Sequence, residues 1–238
     1  MYPGAIALID ALGFRGIWDR HEPDDVLIEL KTMQGWINER IVVPAEPSLE
    51  CRVGYLSDTL AVSTLIKESI NDKPAWSALH LGAIVSRIMD RTLRSKVPLA
   101  YRGAIDIGIH EVSPHFIIGP AVDQAATVYD LAQGAFVWFA PKARDEVLKL
   151  LKANPHLETF LVEFDVPFKN GDRFNTYTVS PLAHARDTDD ANLLTRSLLG
   201  TFSGSNIDIA IKRQNTMRHI RACYASRQFD IPAELSAL

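Results

Sequence analysis

Apolar and polar residues follow two different periods along the chain, and the change of period separates strands from helices. Residues 5–10 are almost all aliphatic, which predicts a buried strand that runs into a tight turn. Asn170-Gly171-Asp172 predicts a hairpin turn between two later strands. Short apolar or alternating segments predict strands over 49–56, 59–65, 101–112, 115–120, 135–140, 159–168 and 173–181.

Apolar residues at helical spacing predict the helices between these strands. The stretch 24–40 has this spacing, with Asp24 as its N-cap and Pro44 and Pro47 beyond its end. Further helices are predicted over 76–94, 121–132 and 144–152, with two more inside 187–228. The order βαββαββα predicts an α/β (α+β) fold with helices packed on a mostly antiparallel sheet. We assign 1–182 to one domain and 183–238 to a helical C-terminal extension.

Composition and charge narrow the classes of function. A net charge of −4 without a basic stripe argues against a nucleic-acid surface. Cys51 and Cys223 are too few for a disulfide framework and lack zinc-site spacing, which favours a reduced, cytoplasmic setting. The apolar N-terminal stretch has no basic region before it and contains Asp10, so we expect neither a signal peptide nor a membrane span.

Two aspartates stand beside strongly apolar segments. Asp10 ends the first predicted strand, and Asp58 lies with Ser57 in a predicted hairpin turn inside VGYLSDTLAVS. If the hairpin lies beside the first strand, two carboxylates meet, and such a pair usually shares a cation because like charges repel. Magnesium suits the pair, since it accepts one or two carboxylates completed by water and phosphate oxygens. The alternative is that Asp58 is a turn residue and Asp10 a helix N-cap.

The segment directly after Asp10 offers a candidate anion site. Gly13 and Phe14 form a glycine-bearing turn from strand to predicted helix, where backbone N–H groups are exposed at the helix start. Alone this signal is weak. Beside a metal-binding carboxylate it points to a triphosphate.

These motifs together resemble class III nucleotidyl cyclases, and more narrowly the bacterial pyrimidine cyclases of the Pycsar anti-phage systems. The similarity covers residues 5–181 in motif order. The segments that carry it are DALGF at 10–14, LSDT at 56–59, RGAIDIG at 102–108 and FIIGPAV at 116–122. The resemblance implies a ferredoxin-like cyclase fold in which residues 1–182 are the catalytic domain.

The resemblance also implies an activity and a metal site. In such enzymes two divalent ions, Mn²⁺ or Mg²⁺, hold a nucleoside triphosphate while its 3′-hydroxyl attacks the α-phosphorus and pyrophosphate leaves. Carried onto this chain, Asp10 and Asp58 are the catalytic metal ligands, with the Ala11 carbonyl as a third ligand. Gly13, Phe14 and Arg15 form the phosphate cradle.

Departures from the purine cyclases point to a different base. Those enzymes carry a lysine before the second aspartate, but here the stretch 53–56 has no lysine. They also carry an Asn-x-x-x-Arg motif on a helix, and here Asp123 and Thr127 occupy the positions of its asparagine and arginine. Tyr55 and Arg102 are the candidate base-binding residues. The tyrosine ring fills the volume of a second purine ring, and an arginine has only donors, which match the acceptors O2 and O4 of uracil.

Several alternatives stay open at this point. Tyr55 is otherwise a half-buried strand residue, and Arg102 a partner in a surface ion pair. Lys169 lies near the place of a phosphate-binding lysine, but a lysine beside a turn is commonly only solvated. UTP is favoured over CTP as substrate, and the rival functions are a purine cyclase of the same fold and a catalytically silent nucleotide-binding module.

The resemblance further implies the partners. It implies a homodimer with composite active sites, a cyclic nucleotide as second messenger, and a separate effector that binds this product during phage infection. No nucleic acid and no membrane is expected among the partners.

Overall fold

The structure is a computed structural model of the chain. It describes residues 1–42, 49–56, 58–67, 73–113, 115–154, 157, 160–204 and 206–236, without the side chains of Arg15, Leu56 and Lys73. Pro44 and Pro47, predicted to follow the first helix, lie outside the described residues, as does Ser57 of the predicted hairpin turn.

The first half of the chain forms an antiparallel sheet with two crossover helices. Its elements are β1 (Tyr2–Leu12), a 3₁₀ helix (Phe14–Asp19), α1 (Pro23–Arg40), β2 (Leu49–Leu56), β3 (Thr59–Ile66), α2 (Lys73–Leu93) and β4 (Ala100–Val112). The strands lie in the order β2-β3-β1-β4, and each neighbouring pair is antiparallel. This βαββαβ arrangement is ferredoxin-like, as predicted.

The second half extends this sheet and adds the C-terminal helices. Its elements are β5 (Ile117–Ile118), α3 (Pro120–Val128), β6 (Val137–Phe139), α4 (Pro141–Ala153), β7 (Leu161–Pro167), β8 (Arg173–Val179), α5 (Thr188–Gly200), α6 (Ile207–Ser226) and α7 (Ala233–Ser236). The sheet continues as β4-β6-β8-β7, with β6 parallel to β4. The predicted α/β class with a mostly antiparallel sheet is therefore confirmed. In the part of the chain described, no helix has both the length and the hydropathy that crossing a membrane requires.

Several local predictions differ from the structure. Glu22 precedes α1 as its N-cap and Pro23 opens the helix, so Asp24 lies in the first turn, where its charge suits the helix dipole. The segment 115–120 pairs with β4 only over two residues, since Gly119 ends it with a positive φ and Pro120 begins α3. The segment after Gly13 forms a short 3₁₀ helix.

The sheet separates two cores, and successive residues of a strand face opposite sides. On one side, here called the α2 face, α1, α2 and α4 cover strand residues that include Ile9 and Val62. On the other side, the α3 face, α3 covers a smaller cluster that includes Ile6 and Leu8. Since Asp10 lies two residues after Leu8 in β1, its side chain belongs to the α3 face.

The C-terminal helices share a hydrophobic cluster with the end of β1. Leu12 packs in this cluster with Leu194 and Leu198 of α5. Arg94, which follows α2, donates from Nη1 and Nη2 to the buried carboxylate of Asp190 in α5, at 2.6 and 2.9 Å. These hydrogen bonds hold the pKa of Asp190 well below its usual range. The boundary at residue 182 stays a prediction, and across it the two parts are joined by shared packing.

Helix α6 places a neutral histidine in the interior. His219 is fully buried against the rings of Phe136 and Phe164. Its Nε2 lies 2.8 Å from the hydroxyl of Thr178, which donates its only proton to the Val162 carbonyl. The hydroxyl therefore accepts from Nε2–H. Burial lowers the pKa of His219 to about 3.

Stability should consequently fall as the pH falls below about 6.5, because the unfolded chain binds a proton at His219 that the folded chain excludes. Acidification from pH 7 to pH 5 should lower the free energy of unfolding by about 2 kcal/mol through this group alone. Urea unfolding of the wild type and of His219→Gln at both pH values measures the effect. We expect the variant to be less stable at pH 7 but to lose less on acidification; equal losses would contradict a neutral His219.

Candidate active site

Asp10 lies at the end of β1 between two neighbouring strands. Thr59 of β3 and Arg102 of β4 are its direct cross-strand partners. The Thr59 hydroxyl donates to Oδ1 at 3.4 Å, and Arg102 Nη2 donates to Oδ2 at 3.2 Å. The carboxylate is half-buried, so these two donors replace part of its lost hydration.

Asp58 lies in the turn between β2 and β3, directly beside the end of β1. Its carbonyl accepts a hydrogen bond from the Ala11 amide at 3.1 Å. Burial and, next in size, the negative charge of Asp58 raise the pKa of Asp10. The two aspartates that the sequence singled out are therefore electrostatic neighbours, and Asp10 is a strand residue and not a helix N-cap.

The oxygen donors at this end of the sheet fit a magnesium-type ion. Among the described residues no group of three or more His, Cys, Asp or Glu side chains could hold a metal. Asp10 and Asp58 are two carboxylates whose charges are coupled, and the family resemblance implies the carbonyl of Ala11 as a third ligand. Mg²⁺ commonly binds through one or two carboxylates and completes its shell with water and substrate phosphate, so two carboxylates suffice.

Arg102 connects Asp10 to the backbone of Asp130. Its Nη1 donates to the backbone carbonyl of Asp130 at 3.4 Å, while its buried Nε has no hydrogen-bond partner among the described residues. Lys169 donates to the side chain of Asp130 at 2.7 Å, and this bond is the main reason why the pKa of Asp130 is lowered. Lys169, Asp130, Arg102 and Asp10 thus form a line of alternating charge, and Asp58 places a second negative charge beside Asp10.

Tyr129, which sequence reasoning missed, lies on the same side of the sheet. It follows α3 and packs against two apolar clusters of the α3 face, the one that includes Ile6 and Leu8 and a second one that includes Ala104 and Trp138. Burial and then the charges of Asp10 and Asp130 raise the pKa of its phenol. No local pattern marks this residue, because only the packing of α3 across β4 and β1 brings it near Asp10.

The two residues that stand in the Asn-x-x-x-Arg motif lie one helical turn apart on α3. Asp123 is exposed in the first turn, and the Thr127 hydroxyl donates to the carbonyl of Gln124 at 2.7 Å. Within the described part of the chain, neither side chain forms a hydrogen bond or an ion pair with Asp10.

Tyr55 lies on the α2 face, beside an apolar cleft of about 300 Å³. Its hydroxyl is buried and, within the described residues, has no hydrogen-bond partner, and burial raises its pKa to about 12. Asp58 also borders the cleft. The remaining lining comes from the end of β1, the 3₁₀ helix, α1 and neighbouring strands: Ala11, Phe14, Leu27, Leu30, Lys31, Met33, Gln34, Leu60, Leu99 and Tyr101.

Tyr55 and Arg102, the two candidate base-binding residues, therefore lie on opposite faces of the sheet. Arg102 precedes Ala104 by two residues in β4, and Ala104 packs in a cluster with Tyr129 on the α3 face. Gly54, the neighbour of Tyr55, faces this same side, where an added Cβ would come within 2.9 Å of Ile117. Because the sheet lies between them, a single base bound to this protomer can contact Tyr55 or Arg102, but not both.

The turn after Asp10 has the geometry that a glycine allows. Gly13 has a φ of +72°, a left-handed conformation that other residues adopt only with strain. Phe14 begins the 3₁₀ helix, lines the cleft and packs edge-on against Trp18. The side chain of Arg15 lies outside the described part, so the phosphate cradle formed by 13–15 stays a prediction.

Comparisons with known proteins find remote likenesses among solved structures. No protein-family model matches the chain, and no curated protein matches it. The catalytic core of a rhodopsin-guanylyl cyclase with converted specificity, in complex with ATPαS, is 14% identical over 75% of this chain and 95% of that chain, with a TM-score of 0.48.

Two further solved structures give similar values. An adenylate/guanylate cyclase/hydrolase from Silicibacter pomeroyi is 19% identical over 75% of this chain and 96% of that chain, with a TM-score of 0.46. A bacterial light-regulated adenylyl cyclase is 13% identical over 84% of this chain and 57% of that chain, with a TM-score of 0.47.

Proposed function

We propose that this protein is a nucleotidyl cyclase, which converts a nucleoside triphosphate into its 3′,5′-cyclic monophosphate and pyrophosphate. The observation that carries the proposal is the pair Asp10 and Asp58 at the ends of β1 and of the β2–β3 hairpin, where their charges are coupled. Two half-buried carboxylates that repel each other favour a shared divalent cation. A triphosphate supplies the remaining oxygen ligands that such a cation requires.

The proposed reaction needs positioning and charge neutralisation more than side-chain chemistry. The 3′ oxygen bonds to the α-phosphorus, the bond to the bridging oxygen breaks, and pyrophosphate carries away the electron pair while the hydroxyl proton passes to solvent. Divalent ions bound at the site would stabilise the charge on the attacking and leaving oxygens. Asp10 and Asp58 would hold these ions, and the turn at 13–15 would orient the phosphates.

Arg102 is the residue best placed to respond to substrate. It neutralises Asp10 at 3.2 Å, and a cation on that carboxylate would compete with this hydrogen bond. The released guanidinium, still close to the carbonyl of Asp130, could then donate to the ligand. We propose that it binds uracil O4, which cytosine replaces by an amino donor, so that UTP is the favoured substrate and CTP the second.

Tyr55 has a separate part in this proposal, because it lies on the other face of the sheet. Its ring narrows the cleft beside Asp58 and limits the space for a second purine ring there. We further propose a homodimer, a cytoplasmic location and a role for the cyclic product as a messenger to a separate antiviral effector. These last points depend on the sequence resemblance.

A second candidate function is a catalytically silent nucleotide-binding module. The observation that favours it is the absence of an asparagine and an arginine on α3, where Asp123 and Thr127 stand instead. Arg102 or Lys169 would have to stabilise the α-phosphate if the protein is catalytic. Turnover by the wild type decides between the two candidates.

Replacing Asp58 by asparagine should abolish catalysis. An amide keeps the size of the side chain but removes the negative charge, so we expect turnover of UTP with Mn²⁺ to fall about 100-fold or more. Chromatography of products from ATP, GTP, CTP and UTP measures the effect. Asp145→Asn is the matched control, since Asp145 is an exposed aspartate on α4. Undiminished turnover in Asp58→Asn would refute the assigned metal role; a wild type inactive on all four nucleotides would favour the silent module.

Base choice should respond separately to Arg102 and Tyr55. The side-chain oxygen of glutamine at position 102 can accept a hydrogen bond from the cytosine amino group, so we expect Arg102→Gln to lower the UTP-to-CTP ratio of kcat/KM about tenfold. Tyr55→Ala should raise purine turnover relative to UTP. Because the two side chains lie on opposite faces, their effects on these ratios should add in the double variant.

Arg173→Gln, which changes an exposed arginine of β8, controls for the loss of a positive charge. An unchanged UTP-to-CTP ratio in Arg102→Gln would remove Arg102 from base recognition. Strong non-additivity in the double variant would mean that both side chains contact one base, against the geometry of this protomer.

A further inference from the structure

Arg20 connects the turn after Asp10 to the C-terminal helices. Its Nη2 donates to the carbonyl of Gly13 at 3.4 Å and its Nη1 to the carbonyl of Gly200, the last residue of α5, at 3.4 Å. Its Nε donates to the carbonyl of Gly16 at 3.3 Å. Each bond is long, but one planar guanidinium reaches three backbone carbonyls from two distant parts of the chain.

The backbones that Arg20 joins also lie in close contact. A Cβ added to Gly13 would lie 3.2 Å from the Thr201 carbonyl oxygen, and one added to Gly16 would lie 3.4 Å from the hydroxyl of Ser203. Gly13 also needs its left-handed φ. The end of α5 therefore forms one wall of the turn that begins three residues after Asp10.

Helix α5 can serve as a fixed support for this turn. The two short hydrogen bonds between Arg94 and Asp190 attach its first turn to α2. Leu198, near its other end, packs in one cluster with Leu12 of β1. Residues of the main sheet domain thus hold both ends of α5, independently of Arg20.

We infer that Arg20 is a positioning residue, which holds the turn at 13–16 against α5 so that Asp10 and the Ala11 carbonyl keep the geometry that a metal-bound triphosphate needs. The consequence for catalysis rests on the proposed cyclase function. By this inference the C-terminal helices belong to the scaffold of the active site. Misplacement of a substrate-binding segment by about 1 Å can lower kcat/KM on the order of 100-fold.

Arg20→Gln and Arg20→Lys test the inference together. Neither side chain can reach three carbonyls, but lysine keeps the positive charge. We expect both variants to raise the KM for UTP and to lower kcat/KM by about 10- to 100-fold, with a smaller change in kcat. In hydrogen exchange, both should show faster exchange of backbone amides in 11–20 and in 198–204.

Arg227→Gln is the matched control. Arg227 also donates to a backbone carbonyl, that of Ala185 at 3.1 Å, and it lies over the ring of Phe229. It belongs to the C-terminal helices but makes no contact with the turn at 13–16 among the described hydrogen bonds. Its substitution should also lower the thermal stability, while KM and exchange at 11–20 stay at wild-type values.

Three results would overturn the inference. Exchange at 11–20 unchanged in Arg20→Gln would show that Arg20 does not hold the turn. Faster exchange with an unchanged KM would show a purely structural tie, and wild-type KM in Arg20→Lys would mean that charge alone matters. Inactivity of the wild type on all nucleotides would instead count against the proposed cyclase function, while the exchange measurement would still decide whether Arg20 holds the turn.

Discussion

The repulsion between two carboxylates at one end of the sheet is the constraint on which the rest of the site depends. Asp10 is half-buried, and its pKa is raised by burial and by the charge of Asp58. Such an arrangement is stable only if positive charge or donors lie close by. Arg102 and Thr59 meet this need, and a divalent cation would meet it more completely. The proposed nucleoside triphosphate would bring such cations to the pair.

Strand register explains why these groups meet. Asp10, Thr59 and Arg102 are direct cross-strand partners in three adjacent antiparallel strands, so the β-ladder sets their separation. The line of charge continues from Arg102 to Asp130 and Lys169, which come from the end of α3 and from the β7–β8 hairpin. A change of charge at one of these residues should consequently alter the electrostatic energy of the others, since part of the line is shielded from water.

The C-terminal helices also contact the strand and the turn that carry the site. Leu12 extends β1 into the cluster formed by α5 and α6, and Arg20 joins the turn after Asp10 to Gly200. A division of the chain at residue 182 describes the order of elements, but the residues on its two sides pack in one hydrophobic cluster. The helices that follow residue 182 and the strand that carries Asp10 are therefore mechanically connected.

The sequence by itself determined most elements and the mostly antiparallel sheet, and it singled out Asp10 and Asp58 as a candidate pair, because periodicity and isolated charges in apolar runs are local signals. It could not determine which face Tyr55 and Arg102 occupy relative to each other, since they lie on different strands and only pairing sets their relative orientation. For the same reason Tyr129 and Arg20 had no sequence signal. Their contacts arise where α3 crosses the sheet and where α5 returns to β1, and these approaches exist only in the tertiary structure.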